Sequence, residues 1–188
     1  RIGHEDAIFS IKNKKGEKVT VTQPVMNHKE AVDLVLNGLL NEGIVSSLDE
    51  IKGVGNRVVQ GGSYFSDSVI FDEDAERKIA SLIPLDPLHA EAHLTCYNAF
   101  KKALPNVGEV AVFDTAFHQT MEAKEYMYAL PYEYYEKYKV RKYGAHGTSH
   151  KYLSIVAKEK YFAGEENINL ITCHIGSGAS LSAIKAGK

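Results

Sequence analysis

The chain has 188 residues, of which 44% are apolar, so it can form one sizeable domain or one domain and part of another. Its 22 basic and 24 acidic side chains nearly balance, which argues against a nucleic-acid-binding or membrane-surface protein. No apolar run reaches the length that spans a bilayer. The two cysteines, Cys96 and Cys173, are too few for a disulfide framework and indicate reduced thiols in the cytoplasm.

The two ends of the sequence predict a segment of a longer protein. The chain begins with Arg1 instead of Met, and its opening residues lack the apolar core of a signal peptide. It finishes on Ala186, Gly187 and Lys188, which are typical of a hairpin turn.

The first part of the chain predicts a hairpin followed by a helix. Residues 7–11 and 19–22 are β-prone and flank a polar turn that contains a glycine, as in a β-hairpin. Asn27, with Glu30 three residues later, predicts the N-cap of a helix that ends at Gly43.

The middle of the chain predicts two strands separated by two helices. A short strand is expected at residues 53–59, helices at 72–83 and 90–104, and a second strand at 109–114 that ends on Asp114.

The last part predicts helices and strands in alternation. An aromatic helix is expected at residues 131–138, a longer helix at 146–161, a buried strand at 170–173 and another strand at 179–185. Because strands and helices mix along the whole sequence, the predicted fold class is α/β.

Two motifs combine a histidine with glycines and hydroxyls. Residues 143–150 read YGAHGTSH and residues 174–180 read HIGSGAS. Glycine lets backbone N–H groups approach a ligand, and consecutive N–H groups form a concavity that binds anions. An imidazole beside it can donate to a developing oxyanion, so the pair predicts a site for phosphate chemistry. Short glycine runs are also plain turns, and His146 could instead cap the next helix, although the flanking glycines favour a functional role.

Two charged residues lie at predicted strand ends. Arg57 can clamp a carboxylate or phosphate, although a surface ion pair is the more usual role of such an arginine. Asp114 can orient a substrate or hold Mg²⁺ through water, or it can cap the next helix. The histidines show no spacing typical of a zinc site.

Taken together, these motifs resemble the acetate kinase family, within the sugar kinase/Hsp70/actin superfamily. The matching runs, in family order, are residues 55–62, 87–89, 110–121, 128–132, 143–150 and 172–180. The resemblance implies an actin-like, ribonuclease H-like α/β fold, with a mixed sheet and flanking helices, in a two-domain kinase truncated at both ends. Residues 1–118 would belong to the first, acyl-substrate domain without its opening strands, and residues 119–188 would start the second, nucleotide-binding domain.

The resemblance implies reversible phosphoryl transfer from ATP to the carboxylate of acetate, giving acetyl phosphate and ADP. It also implies Mg²⁺ as a cofactor and a homodimer when the protein is full length. The catalytic residues implied are Arg57, Asp114 and His146. The residues implied at the acyl substrate are Arg57, Val59, Leu88 and His89. Those implied along the ATP phosphates are His174, Gly176, Ser177 and Gly178. No residue is expected to bind the metal directly, although Asp114 can act on it indirectly.

The chain departs from the family pattern at several positions near these motifs, namely Asn56, Gln60, Ala90, Glu91, Cys96, Glu122, Ala145 and Ser177. Ala145 stands where the family has a phenylalanine in the wall of the acyl pocket, which would leave room for a longer acyl chain. A propionate or butyrate kinase is therefore one alternative, and a catalytically impaired scaffold of the same fold is another.

The resemblance places several parts of the kinase outside this sequence. The family's opening phosphate-binding strand would precede Arg1. The adenosine pocket, a second catalytic arginine and a glutamate that coordinates Mg²⁺ would follow Lys188. We therefore expect the isolated 188-residue chain to be inactive.

Overall fold

The computed structural model describes residues 2–188. The strands are β1 (His4–Lys12), β2 (Lys18–Val25), β3 (Gly53–Val58), β4 (Val69–Ile70), β5 (Gly108–Phe113), β6 (Asn169–Ile175) and β7 (Ala179–Lys185). The α-helices are α1 (His28–Asn41), α2 (Glu73–Ser81), α3 (Ala90–Ala103), α4 (Ala123–Tyr126), α5 (Tyr132–Tyr138) and α6 (Gly147–Tyr161). Within residues 2–188, no helix is both long and apolar enough to cross a membrane.

The described strands form three sheets. β1 and β2 pair antiparallel, as the sequence predicts. β3 and β4 lie on either side of β5, parallel and antiparallel to it respectively, which makes a mixed sheet. β6 and β7 form an antiparallel pair. The predicted α/β class is confirmed.

The predicted cap of α1 is present. The Asn27 side chain accepts a hydrogen bond from the backbone N–H of Glu30 at 2.9 Å, and the Glu30 carboxylate accepts from the N–H of Met26 at 2.6 Å. The Asn27 bond satisfies a backbone donor that the first helical turn leaves free, and the Glu30 bond holds the residue before the cap. The helix predicted at residues 72–83 is shorter, because α2 ends at Ser81 and Ile83–Leu85 form a 3₁₀ turn that contains Pro84.

The main hydrophobic core lies between the mixed sheet and helices α2 and α3. Ile79 and Ala111 are fully buried there. Phe65 stacks on Phe113 with ring centroids 4.1 Å apart, and buried side chains of this size each contribute roughly 1.5–3 kcal/mol to stability. This packing fixes the ends of β3 and β5.

The strand predicted to be buried at residues 170–173 is buried on one face only. β6 is longer than predicted and alternates: Thr172 is buried, whereas Ile171 and Ile175 are more than 70% exposed. The reason is that α6 covers only one face of the β6–β7 pair in the part of the chain that the structure describes. The run of apolar residues therefore predicted more burial of this strand than the structure shows.

Candidate active site

The parallel pairing of β3 and β5 brings Arg57 and Asp114 together. Arg57 is opposite Val112 in the register, and Asp114 directly follows β5. The Arg57 Nε and Nη2 atoms donate to the same carboxylate oxygen, Oδ2 of Asp114, at 2.8 and 2.7 Å. The Asp114 side chain is only 3% exposed and that of Arg57 is 69% exposed. A buried carboxylate thus holds the orientation of a guanidinium that faces solvent.

The second oxygen of Asp114 accepts a hydrogen bond from the start of α6. The Thr148 hydroxyl donates to Asp114 Oδ1 at 2.9 Å. The backbone is close as well, because a Cβ added at Gly147 would collide with the carbonyl oxygen of Asp114. Only glycine lets the helix start this close to the end of β5. Asp114 therefore caps neither the following 3₁₀ helix, Ala116–Thr120, whose N-cap is Thr115, nor α6, whose N-cap is His146.

His146 occupies the N-cap position of α6, but its side chain does not cap the helix. Its Nδ1 lies 2.7 Å from the hydroxyl of Ser180 on β7. Its ring stacks on that of His174, with centroids 4.0 Å apart and planes inclined by 22°. The glycine turn is in contact as well, because a Cβ at Gly178 would lie 3.2 Å from His146 Cε1. The imidazole is thus held between the two motifs that the sequence singled out.

His174 is fixed in the same way from α6. Its Nδ1 lies 3.0 Å from the hydroxyl of Ser149, in the first turn of α6. The N-terminal turn of α6 therefore contacts both Asp114 and His174, through Thr148 and Ser149.

One cavity of about 490 Å³ brings the principal predicted residues together. Its lining consists of Arg57, Asp114, Ala145, His146, Thr148, Ser149, Tyr152 and His174. The three catalytic residues implied by the resemblance lie there with His174 and with Ala145, the departure from the family pattern.

The other residues implied at the acyl substrate lie outside this lining. The N–H of Val59 donates to His93 Nε2 at 3.1 Å. His89 Nδ1 is 2.7 Å from Asp86 Oδ1, and Leu88 is 85% exposed. The structure therefore groups these three residues around His93 and the start of α3, beside the end of β3.

His93 is a neighbour that the sequence did not mark. Burial lowers the pKa of His93, opposed by the charge of Asp86 and assisted by those of His89 and Arg57. A neutral ring can accept the Val59 N–H, so His93 fixes the chain just after Arg57.

The predicted phosphate turn joins β6 to β7. The N–H of Gly176 donates to the carbonyl oxygen of Gly178 at 3.0 Å, so this amide is engaged within the turn. Ser177 is exposed at its tip. Of the turn residues, Gly178 lies nearest the cavity because it contacts His146.

The family model described as the acetokinase family matches residues 1–188. The chain belongs to the acetokinase family.

Individual relatives in the acetokinase family match the whole chain. It is 52% identical over 188 residues to an acetate kinase of Exiguobacterium sibiricum, and the match covers all of the chain and 47% of that protein. A crystal structure of Porphyromonas gingivalis acetate kinase matches with a TM-score of 0.91 and 42% identity. A propionate kinase structure from Francisella tularensis matches with a TM-score of 0.90 and 37% identity. Both structure matches cover the whole chain and 47% of the known protein, so the chain spans about half the length of these relatives. These matches confirm the predicted family and fold.

The described part of this acetokinase-family chain offers no complete metal site. No group of three or more His, Cys, Asp or Glu residues within residues 2–188 could hold an ion. Both oxygens of Asp114 are already bonded, to Arg57 and Thr148. Each oxygen of an ionised carboxylate keeps a further acceptor site, so Asp114 fits a position beside a bound Mg²⁺ ion.

A larger cavity of about 770 Å³ shares His146 with the first one. It is also lined by His118, His150 and Ser180, and neither Arg57 nor Asp114 reaches it. His146 thus lies between two cavities, and the cavity that contains the charged pair is the candidate site.

Sequence reasoning missed the residues that hold the site residues in place. Thr148, Ser149 and His150 are part of a quoted motif but received no role, and Ser180 closes the second motif. A signal for them exists, since residues three and four apart on a helix share a face, so 146, 149 and 150 lie together.

Proposed function

We propose that the full-length protein transfers a phosphoryl group between ATP and the carboxylate of acetate, forming acetyl phosphate and ADP. One observation carries this proposal: Arg57, Asp114, His146 and His174 line a single cavity. A cation and two imidazoles in one concave site are what a negatively charged phosphoryl group and a small organic acid require.

Arg57 has the donors for this role. A guanidinium carries five N–H groups, and Asp114 takes two of them. The remaining donors are available to a carboxylate or phosphate oxygen in the cavity. Because Asp114 fixes the guanidinium before substrate arrives, little rotational freedom is lost on binding.

His146 and His174 would contact the phosphates. Ser180 occupies Nδ1 of His146, and Ser149 occupies Nδ1 of His174. In each ring Nε2 is the nitrogen left for an anionic oxygen, and it donates when the serine hydroxyl donates to Nδ1. Phosphoryl transfer needs alignment and charge neutralisation more than covalent chemistry from the protein, and these side chains supply both. Ser177 and Gly178 would lie along the nucleotide beside them, with Gly176 shaping the turn.

Mg²⁺, when bound with ATP, would neutralise charge on the β- and γ-phosphates. Asp114 would act on it indirectly, through groups that its own hydrogen bonds orient. Val59, Leu88 and His89 would contribute to the acyl side of the site, where His93 holds Val59.

A propionate or butyrate kinase is the second candidate. Ala145 lines the cavity beside Arg57, and a methyl side chain there leaves more room than a phenylalanine would. The similarity of the chain to a propionate kinase structure supports this second candidate.

Three properties of the whole protein rest on the family resemblance alone. We propose that residues 1–118 belong to an acyl-substrate domain and residues 119–188 to the start of a nucleotide-binding domain. We also propose that the full-length protein is a homodimer in the cytoplasm. Light scattering on the full-length protein measures its oligomeric state, and a monomer would contradict the proposed homodimer.

A hydroxamate assay for acyl phosphate tests the proposed reaction. Full-length protein with ATP, Mg²⁺ and acetate should form acetyl phosphate, and Arg57→Ala should lower kcat/KM on the order of 100-fold or more. Arg77→Ala is the matched control, because Arg77 is an exposed arginine on α2 that pairs with Asp74. Loss of activity in both variants, or no acyl phosphate from the parent, would refute the assignment; the latter would favour the impaired scaffold.

A further inference from the structure

A chain of hydrogen bonds runs from His146 into the interior of the β6–β7 pair. His146 Nδ1 is 2.7 Å from Ser180 Oγ, and the same hydroxyl is 2.9 Å from His150 Nε2. His150 Nδ1 is in turn 2.7 Å from Thr172 Oγ1. One hydroxyl therefore connects two imidazoles.

Secondary structure fixes the positions of these four side chains. His146 and His150 are one helical turn apart, so both face the β6–β7 pair. Thr172 and Ser180 lie on the covered face of that pair, where the alternation of each strand directs them toward α6. The network thus follows from the four-residue spacing of the two histidines on α6 and from the alternation of side chains between the two faces of each strand.

The Ser180 hydroxyl links the tautomers of the two histidines. It has one proton, so with both bonds formed it donates to one ring nitrogen and accepts from the other. If His150 donates from Nε2, Ser180 donates to His146 Nδ1. A neutral His146 then carries its proton on Nε2, the nitrogen that Ser180 does not contact.

His150 is suited to fix this arrangement. Its side chain is only 1% exposed, and among residues 2–188 both ring nitrogens have hydroxyl partners. Burial, with smaller contributions from His146 and His174, lowers the pKa of His150. The ring therefore stays neutral near pH 7 and offers one donor and one acceptor.

We propose that His150 and Ser180 are positioning residues that hold His146 in the tautomer with its proton on Nε2. This inference rests on the proposed function, in which His146 donates to an oxygen of the transferring phosphoryl group. The opposite tautomer would present a lone pair to an anion. Removing the partner that orients a metal-binding histidine typically costs about 10- to 100-fold, and we expect a loss of the same order here.

The first test reads the tautomer directly and does not depend on activity. Two-bond ¹H–¹⁵N spectra of the full-length, histidine-labelled protein at pH 7.5 distinguish Nδ1–H from Nε2–H. The His146 signals are assigned by their loss in His146→Asn. A single Nε2–H tautomer of His146 together with Nε2–H on His150 supports the proposal. The Nδ1–H form of His146, or a mixture of both forms, overturns it.

Variants then test the link between position and turnover. Ser180→Ala should lower kcat about 10- to 100-fold with KM for acetate and ATP little changed, and should give His146 a mixture of tautomers. Ser180→Thr keeps a hydroxyl and should restore the single tautomer. Ser182→Ala is the matched control, since Ser182 is two residues along the same covered face of β7. A fall in kcat with an unchanged His146 spectrum would contradict the proposal.

The spectra also separate this inference from the proposed function. If the parent protein forms no acyl phosphate but shows the linked Nε2–H tautomers, the proposed reaction fails and the positioning network stands. If it forms acyl phosphate with the other tautomer, the reaction stands and the network proposal fails.

Discussion

At the residue scale, the site depends on small groups that hold large ones. Asp114, itself held by Thr148, fixes Arg57, while Ser180 and Ser149 fix the two imidazoles. Each functional side chain thus has one polar edge bound to protein and one edge facing the cavity. Such preorganisation is the main contribution a protein can make to phosphoryl transfer.

We expect Ala145 to influence the acyl preference, because it lines the cavity beside Arg57. Ala145→Phe should narrow the cavity, lowering kcat/KM for butyrate on the order of tenfold or more while acetate changes little, because one or two methylenes are worth about 1–3 kcal/mol in such a pocket. Comparing acetate, propionate and butyrate in the full-length protein measures this. An unchanged order of preference, or strict acetate use by the parent protein, would contradict the assigned role of Ala145.

The lowered pKa of His150 makes the protein less stable in acid. As pH falls below about 6.5, the unfolded ring takes up a proton that the buried ring resists, so the free energy of unfolding decreases. The stability difference between the parent and His150→Asn should therefore shrink between pH 7.5 and 5.5, by at most about 1.4 kcal/mol per pH unit. Urea titrations at several pH values measure it.

His4→Asn is the control for these urea titrations. Because His4 is exposed on β1, its replacement should change the free energy of unfolding little at any of these pH values. A parent-to-variant difference for His150→Asn that stays constant, or grows, as the pH falls would show that His150 is not held neutral.

At the element scale, the start of α6 is the part that assembles the site. The start of α6 lies so close to the end of β5 that a side chain at position 147 would collide with the carbonyl oxygen of Asp114. The same turn carries Thr148 and Ser149 to Asp114 and His174. A small displacement of this turn would therefore separate the two halves of the site.

Gly147→Ala is expected to displace the start of α6. Because the added Cβ meets backbone and not a flexible side chain, the substitution should destabilise the protein by about 1–3 kcal/mol and lower kcat. Thermal unfolding and acyl phosphate formation by the full-length protein measure the two effects. Gly108→Ala is the matched control, since a Cβ there meets nothing within 4 Å. Equal behaviour of the two variants would remove the steric argument.

The sequence predicts the elements well and their mutual contacts less well. Arg57 and Asp114 could be placed together because parallel strands end at the same edge of a sheet. The link from His146 through Ser180 to His150 could not, because it depends on how α6 lies on β7. The one-sided burial of β6 was missed for a similar reason, since apolar residues such as Ile171 do not show which face is covered.

At the scale of the whole molecule, the chain spans about half the length of its relatives. The resemblance assigns the adenosine pocket and the coordinating glutamate to sequence after Lys188. We therefore predict that the isolated 188-residue chain, even if folded, forms no acetyl phosphate above background. Circular dichroism confirms folding in the same sample as the hydroxamate assay. Turnover by the isolated chain would show that the sequence after Lys188 is not needed for activity.

The central claim is that Arg57 and His146 act on one phosphoryl group. A double-mutant cycle in the full-length protein, with Arg57→Ala, His146→Asn and both together, tests it through kcat/KM for acetate. The double variant should lose less activity than the product of the two single losses, with a coupling of about 1 kcal/mol or more. Losses that simply multiply would show that the two residues act independently and not on one phosphoryl group.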